Sequence, residues 1–158
     1  MMTTHFSFAG LLRSAHLTTA DCEARRGPSL ERVFAMLREH RDAGHRAIRI
    51  LDLGCGDGER LLAAVERAHE LGFVAIEARG VSRSLHGVRR ARRAARRGQH
   101  PTWGVSFEVA EPIAALAGEH DGSADLILLA EPLPYPASPL GTALGRVNAG
   151  VILAPPRS

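Results

Sequence analysis

The chain has 158 residues, of which 45% are apolar and 23% are charged, and its formal net charge is +3. These values are those of one ordinary soluble domain, whose length allows burial of roughly 68–70% of the surface that the unfolded chain exposes. Cys22 and Cys55 are the only cysteines, which excludes a disulfide-stapled scaffold and leads us to expect a reducing, cytoplasmic setting. No apolar run approaches the roughly 20 residues of a membrane-spanning helix, so we expect no membrane partner.

The beginning of the chain lacks clear periodicity. We assign residues 1–27 to an N-terminal extension that could cover a pocket, and residues 28–158 to the domain itself. The segment "SLERVFAMLREHRDAG" predicts the first helix of that domain, with Ser29 as a suitable N-cap. Four apolar residues share one face of this helix: Leu30, Val33, Phe34 and Leu37.

Strands and helices then alternate to the end of the chain. Apolar runs predict five buried strands, at residues 47–53, 73–82, 103–110, 124–130 and 150–154. Segments with helical periodicity lie between them, at residues 59–72, 85–98, 113–120 and 140–147. This alternation predicts an α/β fold with a doubly wound parallel sheet and the strand order 3-2-1-4-5. Ligands bind such sheets at the carboxyl ends of the strands, beside the first strand.

A glycine loop stands at that position. Three alternating glycines follow the first strand: Gly54, Gly56 and Gly58. The dinucleotide-binding pattern G-x-G-x-x-G would require glycine at position 59, where Glu59 stands. Asp52 and Asp57 add further negative charge, which disfavours a pyrophosphate and favours a ligand with positive charge.

The segment "LDLGCGDG" resembles motif I of the class I S-adenosylmethionine-dependent methyltransferases. The resemblance extends over residues 30–154 and implies a Rossmann-like methyltransferase fold that lacks the family's last strands. It also implies S-adenosylmethionine as the cofactor and transfer of its methyl group by in-line displacement. The cofactor-binding residues that it implies in the loop are Asp52, Gly54, Cys55, Gly56 and Gly58.

The resemblance assigns further positions after the later strands. Ser82 stands where the family places an acid that binds the ribose hydroxyls, and Glu77 is an uncertain substitute for that acid. Glu111 corresponds to the residue that contacts adenine. Glu131 and Tyr135, in "AEPLPY", lie at the family's motif IV, and Glu131 is counted among the cofactor-binding residues. These two residues are also the positional candidates for a catalytic base, although no catalytic residue is assigned. The alternatives are a role as a loop or capping residue for Ser82 and a packing role for Tyr135.

The predicted helix over residues 85–98 is rich in arginine, with six arginines between positions 89 and 97. Leu85, Val88, Ala91 and Ala95 predict a narrow apolar stripe against the sheet. We favour a solvated outer face for the arginines. The alternative is a surface that binds the phosphates of a nucleic acid, which the lack of interleaved aromatic residues does not favour.

The resemblance leaves the acceptor open, and we expect a small molecule rather than RNA or protein. The alternative is a catalytically inactive, methyltransferase-like binding or regulatory subunit, and a nucleotide-binding oxidoreductase is a third possibility. The strand at residues 150–154 would be a sheet edge through which a homodimer could form, although Pro155 and Pro156 blunt it. The eight histidines show no metal-ligand spacing, so we predict no metal site.

Overall fold

The computed structural model describes residues 27–98, 100 and 103–156, so apart from Gly27 the N-terminal extension lies outside the described residues. The helices are α1 (Leu30–Asp42), α2 (Glu59–Glu70), α3 (Leu85–Arg97), α4 (Pro112–Ala117) and α5 (Pro139–Val147). The strands are β1 (Ala47–Leu53), β2 (Ala75–Ser82), β3 (Trp103–Val109), β4 (Ala124–Leu129) and β5 (Asn148–Leu153). The predicted alternation of strands and helices is confirmed.

The strands form one parallel sheet in the order β3-β2-β1-β4-β5, which confirms the predicted order. In the middle of the sheet, Asp52 of β1 is aligned with Gly80 of β2 and with Leu128 of β4. The chain proceeds from β1 outward to β3 and then crosses back to β4. The strand order therefore reverses between β1 and β4, where an open α/β sheet has its ligand crevice.

Side chains alternate between the two faces of the sheet, and each face has its own apolar core. Ile48 and Ile50 of β1 belong to the core that α1, α2 and α3 cover. Leu51 and Leu53 belong to the core that the shorter helices α4 and α5 cover. None of the described helices combines the length and the apolar character that crossing a membrane requires.

Charged side chains join three strands on the face that α4 and α5 cover. Arg79 of β2 binds Glu108 of β3 and also Glu119, which follows α4. Arg49 of β1 binds Glu119 at 2.8 Å and Glu77 at 3.3 Å. Glu77 therefore pairs within this cluster, away from the carboxyl end of β2, and does not replace the acid that is missing at the end of that strand.

Several predicted boundaries and faces need correction. Helix α4 ends at Ala117 rather than at residue 120, because Gly118 already caps it. Leu85 is 53% exposed and lies outside the apolar stripe of α3, whose buried members are Val88 and Ala91. It is the first residue of the helix, where the chain has only just left the end of β2. The N-cap at Ser29 is confirmed, since its Oγ accepts the Arg32 N–H at 3.4 Å.

β5 begins earlier than predicted and is irregular. Asn148 is aligned with Ala124 and Val151 with Leu126, so β5 has one extra residue opposite β4. The Asn148 side chain binds the Gly150 N–H at 3.3 Å and the Gly150 carbonyl at 3.1 Å. The homodimer through this edge stays a prediction.

Candidate cofactor site

The glycine loop connects β1 to α2 at the carboxyl end of β1. Gly54, Gly56 and Gly58 have φ angles of 110°, 57° and 81°, a left-handed conformation that residues with a Cβ rarely adopt. The N–H groups of Gly54 and Cys55 donate to the Val81 carbonyl at 2.8 and 2.9 Å, which attaches the loop to the end of β2. A Cβ on Gly54 would collide with the side chain that directly follows β4. The loop is therefore held between the ends of three neighbouring strands.

Asp52, two residues before the first glycine, is fully buried. The Arg60 guanidinium of α2 binds both of its oxygens, with Nη2–Oδ1 at 2.6 Å and Nε–Oδ2 at 3.2 Å. Burial raises the pKa of Asp52, while the charge and hydrogen bonds of Arg60 act in the opposite direction. The carboxylate that was expected to attract a cationic cofactor already has a cationic partner inside the protein.

Asp57, inside the loop, is paired as well. Arg90 of α3 lies 3.1 Å from its Oδ2, and the Glu59 N–H donates to its Oδ1 at 3.4 Å. Glu59 itself is exposed. The expectation that all the acids of this region present negative charge to a ligand is therefore wrong for Asp52 and Asp57, since each is neutralised by an arginine.

Cys55 faces the core rather than the cleft. Its side chain is buried beside Gly80, and burial raises the pKa of its thiol well above the usual range. Its N–H donates to Val81, and its carbonyl accepts the Gly58 N–H at 2.8 Å. Because side chain and backbone are both engaged internally, the structure does not support Cys55 as a cofactor-binding residue.

The end of β2 carries a serine followed by an arginine. Ser82 is 2% exposed, and its Oγ accepts the Ser84 N–H at 3.1 Å. This is a contact within the turn before α3, whose N-cap is Ser84, so Ser82 does not cap the helix. The next residue, Arg83, lies 3.9 Å from Glu111, and both side chains are 61% exposed. Glu111 is the N-cap of α4 but makes no side-chain capping bond. Its carboxylate is therefore near the mouth of the crevice.

A cavity of about 40 Å³ lies between the carboxyl ends of β1, β2 and β4. It brings together Gly54, Ser82 and Glu131, three of the predicted site residues, whereas Glu111 lies outside its lining. Tyr135 does not line it either, and this side chain is 72% exposed, which contradicts a packing role. No group of three or more His, Cys, Asp or Glu side chains among the described residues could hold a metal ion.

Sequence reasoning missed the arginines that complete the site: Arg60, Arg83 and Arg90. A general signal existed, because a buried carboxylate such as Asp52 requires a partner. The identity of the partner depends on how α2 and α3 pack against the loop, which the sequence pattern does not specify.

The fold and the loop define a class of protein, the Rossmann-like α/β domains with a glycine loop where the strand order reverses. Residues 44–150 match the family described as "Methyltransferase domain", and the chain belongs to this family of class I, Rossmann-like methyltransferases. No curated protein sequence matches the chain.

Three solved structures illustrate the likeness of the fold. A protein from Corynebacterium glutamicum is 14% identical, with a TM-score of 0.56 over 88% of this chain and 67% of that one. A SAM-dependent methyltransferase from Aquifex aeolicus is 18% identical, with a TM-score of 0.51 over 84% of this chain and 68% of that one. WbdD is 20% identical, with a TM-score of 0.51 over 79% of this chain, which spans only 22% of WbdD. At these identities the likeness shows the fold alone.

Proposed function

We propose that the chain binds S-adenosylmethionine at the glycine loop and directs its methyl group to an acceptor. The observation that carries the proposal is the position of the loop. Three glycines with left-handed φ angles lie at the carboxyl end of β1, where the strand order reverses, in a chain of a methyltransferase family. When bound, the cofactor supplies a methyl carbon activated by a sulfonium. The protein then has to align the acceptor with that carbon and exclude water.

The residues present fit this cofactor in part. The loop from Gly54 to Gly58 would receive its methionine end through backbone groups other than the N–H groups of Gly54, Cys55 and Gly58, which are engaged inside the fold. Ser82 would give the ribose one hydrogen bond where a carboxylate would give two. A cavity of about 40 Å³ holds little more than one water molecule. We therefore expect the exposed side chains of Arg83 and Glu131 to move aside when a nucleoside enters.

We infer that the acceptor is a small molecule with an apolar part. Large apolar side chains that are 45–72% exposed lie at or after the carboxyl ends of β2, β3 and β4: Leu85, Val109, Ile113, Leu133 and Tyr135. None of the five lines the cavity of about 40 Å³, and single exposed apolar residues are ordinary. Their shared position near the ends of neighbouring strands is the observation that favours an apolar ligand. Glu131, which lines the cavity, is the better candidate for a catalytic base, because Tyr135 does not line it.

A second candidate function is binding without catalysis, as a regulatory or structural subunit. The observation in its favour is that the site departs from the family pattern at two places. Asp52 forms an ion pair with Arg60, and the end of β2 carries Ser82 instead of an acid. A domain of this kind would bind the cofactor without turning it over.

Calorimetric titration tests the proposal with S-adenosylmethionine, S-adenosylhomocysteine and NAD. We expect the first two to bind and NAD not to bind. The variant Ser82→Asp restores the ribose acid and is expected to tighten binding. Its matched control is Ser84→Asp, which adds the same charge at the N-cap of α3, where aspartate is well tolerated.

Binding of NAD in preference to S-adenosylmethionine would contradict the proposal. It would also be contradicted if Ser82→Asp and Ser84→Asp changed the affinity for S-adenosylmethionine equally. Formation of S-adenosylhomocysteine is then measured with a panel of apolar amines, phenols and thiols. Binding with no turnover on any of them would favour the second candidate function.

A further inference from the structure

A second cleft, of about 690 Å³, lies toward the amino end of β3, away from the glycine loop. Alternate side chains of β3 form its floor: Trp103, Val105 and Phe107. Helix α2 contributes Leu62 and Glu66 to one wall, and α3 contributes Arg92, Ala95 and Arg96 to the other. We call it the β3 cleft. Its volume is in the range of sites that bind organic ligands.

One wall of the β3 cleft is strongly basic. The Arg92 Nε donates to the Phe107 carbonyl at 2.9 Å, which holds its guanidinium at the edge of β3. Arg96 lies one helical turn later on the same wall. No carboxylate in the described parts of the chain forms an ion pair with either of these arginines, and Glu66 is the one acid that lines the cleft. The wall is therefore suited to binding anions.

The floor of the β3 cleft is aromatic. The ring of Trp103 lies 5.4 Å from that of His100, tilted by 30°, and 5.5 Å from that of His69. Its Nε1 is buried and has no hydrogen-bond acceptor among the described residues. The aromatic surface that is absent from the arginine helix is thus supplied by the neighbouring strand.

We propose that the β3 cleft binds single-stranded nucleic acid, with phosphates on Arg92 and Arg96 and a base against Trp103. A basic groove combined with an aromatic stacking surface is the usual arrangement for such ligands. A free nucleotide would need only the cleft itself. The positive charge continues along α3 past the cleft, onto Arg89, Arg93 and Arg97, and this favours a strand. The β3 cleft shares no lining residue with the cavity at the proposed cofactor site, although Phe107 of its floor packs against Gly58 of the glycine loop.

Trp103 is the only tryptophan, so its fluorescence reports on this site alone. The protein is titrated with ten-nucleotide oligothymidylate and oligouridylate, and we expect binding that quenches the tryptophan emission. Inorganic polyphosphate of similar charge lacks bases, and we expect it to bind without quenching. Uridine monophosphate is the third ligand, and we expect it to bind much more weakly than the strand.

Matched variants of α3 separate the cleft from the general charge of the helix. The pair Arg92→Ala and Arg96→Ala removes the two arginines of the cleft, and the pair Arg93→Ala and Arg97→Ala removes the same charge outside it. Binding is measured as the anisotropy of a labelled oligonucleotide at several salt concentrations. The slope of log K against log salt should become less steep by about 1.4 for the cleft pair, since each single-strand phosphate contact contributes about 0.7.

We expect the affinity to fall at least about ten-fold further for the cleft pair than for the control pair, as expected when two direct contacts are lost. Trp103→Ala should lower the affinity roughly five- to hundred-fold through loss of stacking. Arg92 also donates a hydrogen bond to the backbone of β3, so its removal could disturb the strand. The single changes Arg96→Ala and Arg97→Ala repeat the comparison with that hydrogen bond intact.

Three results would each overturn the proposal. One is no binding of either oligonucleotide at low salt. Another is binding that leaves the Trp103 emission unchanged. The third is equal loss of affinity for the cleft pair and the control pair, which would mean that only the overall charge of α3 matters. Uridine monophosphate that binds as tightly as the strand would assign the cleft to free nucleotides instead.

Discussion

Removing either partner of the Asp52–Arg60 ion pair is expected to destabilise the fold strongly. Asp52 is fully buried and Arg60 is 5% exposed, and two hydrogen bonds join them. Loss of one partner leaves an uncompensated buried charge, which costs about 3–5 kcal/mol. A whole domain has a free energy of unfolding of about 5–15 kcal/mol. Asp52→Asn and Arg60→Met should therefore each remove a large part of the stability.

The double variant Asp52→Asn with Arg60→Met removes both charges, so its cost should be clearly smaller than the sum of the two single costs. The assay is urea unfolding followed by far-ultraviolet circular dichroism, from which the free energy of unfolding in water is extrapolated. Glu70→Gln is the control, because it breaks the exposed Arg67–Glu70 pair of α2 and should cost less than about 1 kcal/mol. The reasoning fails if Asp52→Asn costs no more than this control, or if the single costs simply add.

Three further predictions concern stability and are measured by thermal or urea unfolding. Burial would raise the pKa of Glu119, but the hydrogen bonds and charges of two arginines outweigh burial and lower it from 4.5. This contribution to stability is complete above the unfolded pKa and is lost as the pH falls through the lower folded value. Glu119→Gln should therefore flatten the loss of stability below about pH 4.5, and an unchanged acid profile would contradict this. Gly54 has a left-handed φ, and a Cβ there would collide with a neighbouring side chain, whereas Gly122 has a left-handed φ and open space around it. Gly54→Ala should therefore lower the free energy of unfolding clearly more than Gly122→Ala. Equal losses would mean that the collision is relieved. Val88→Ala should lower the free energy of unfolding by about 1.5–3 kcal/mol, whereas Leu85→Ala, at a half-exposed side chain, should lower it much less. A larger loss for Leu85→Ala would contradict the assignment of the buried face of α3.

The fold could be predicted because its signals are local and periodic. Each strand is a short apolar run, each helix has an apolar stripe, and their alternation leaves few ways to connect the chain. The errors fell where periodicity is weak, at the ends of the elements. The start of β5 is an example, because the extra residue between Asn148 and Val151 reflects pairing with β4, which the sequence of β5 alone does not contain.

The sequence predicts where the site lies, but it does not predict which of its acids are paired with arginines. Gly54, Ser82 and Glu131 do converge, because each lies at or just after the carboxyl end of a strand, and these ends meet at the same edge of the sheet. The partners of the acids come from other elements: Arg60 lies on α2, and Arg90 lies on α3, more than a full helix further along the chain. Such contacts depend on the packing of side chains between elements, and a sequence motif describes only neighbours along the chain.

The hydrogen bonds of the loop replace its charge as the argument against a pyrophosphate ligand. Dinucleotide sites cradle the pyrophosphate with backbone N–H groups of the glycine loop. Here the N–H groups of Gly54 and Cys55 both donate to Val81, and the Gly58 N–H donates to the Cys55 carbonyl. Donors that are already engaged inside the fold cannot also bind a phosphate without breaking the loop. The preference for a nucleoside without phosphate therefore rests on the backbone of the loop and on the exposed Glu59 at the start of α2, and not on the two buried aspartates.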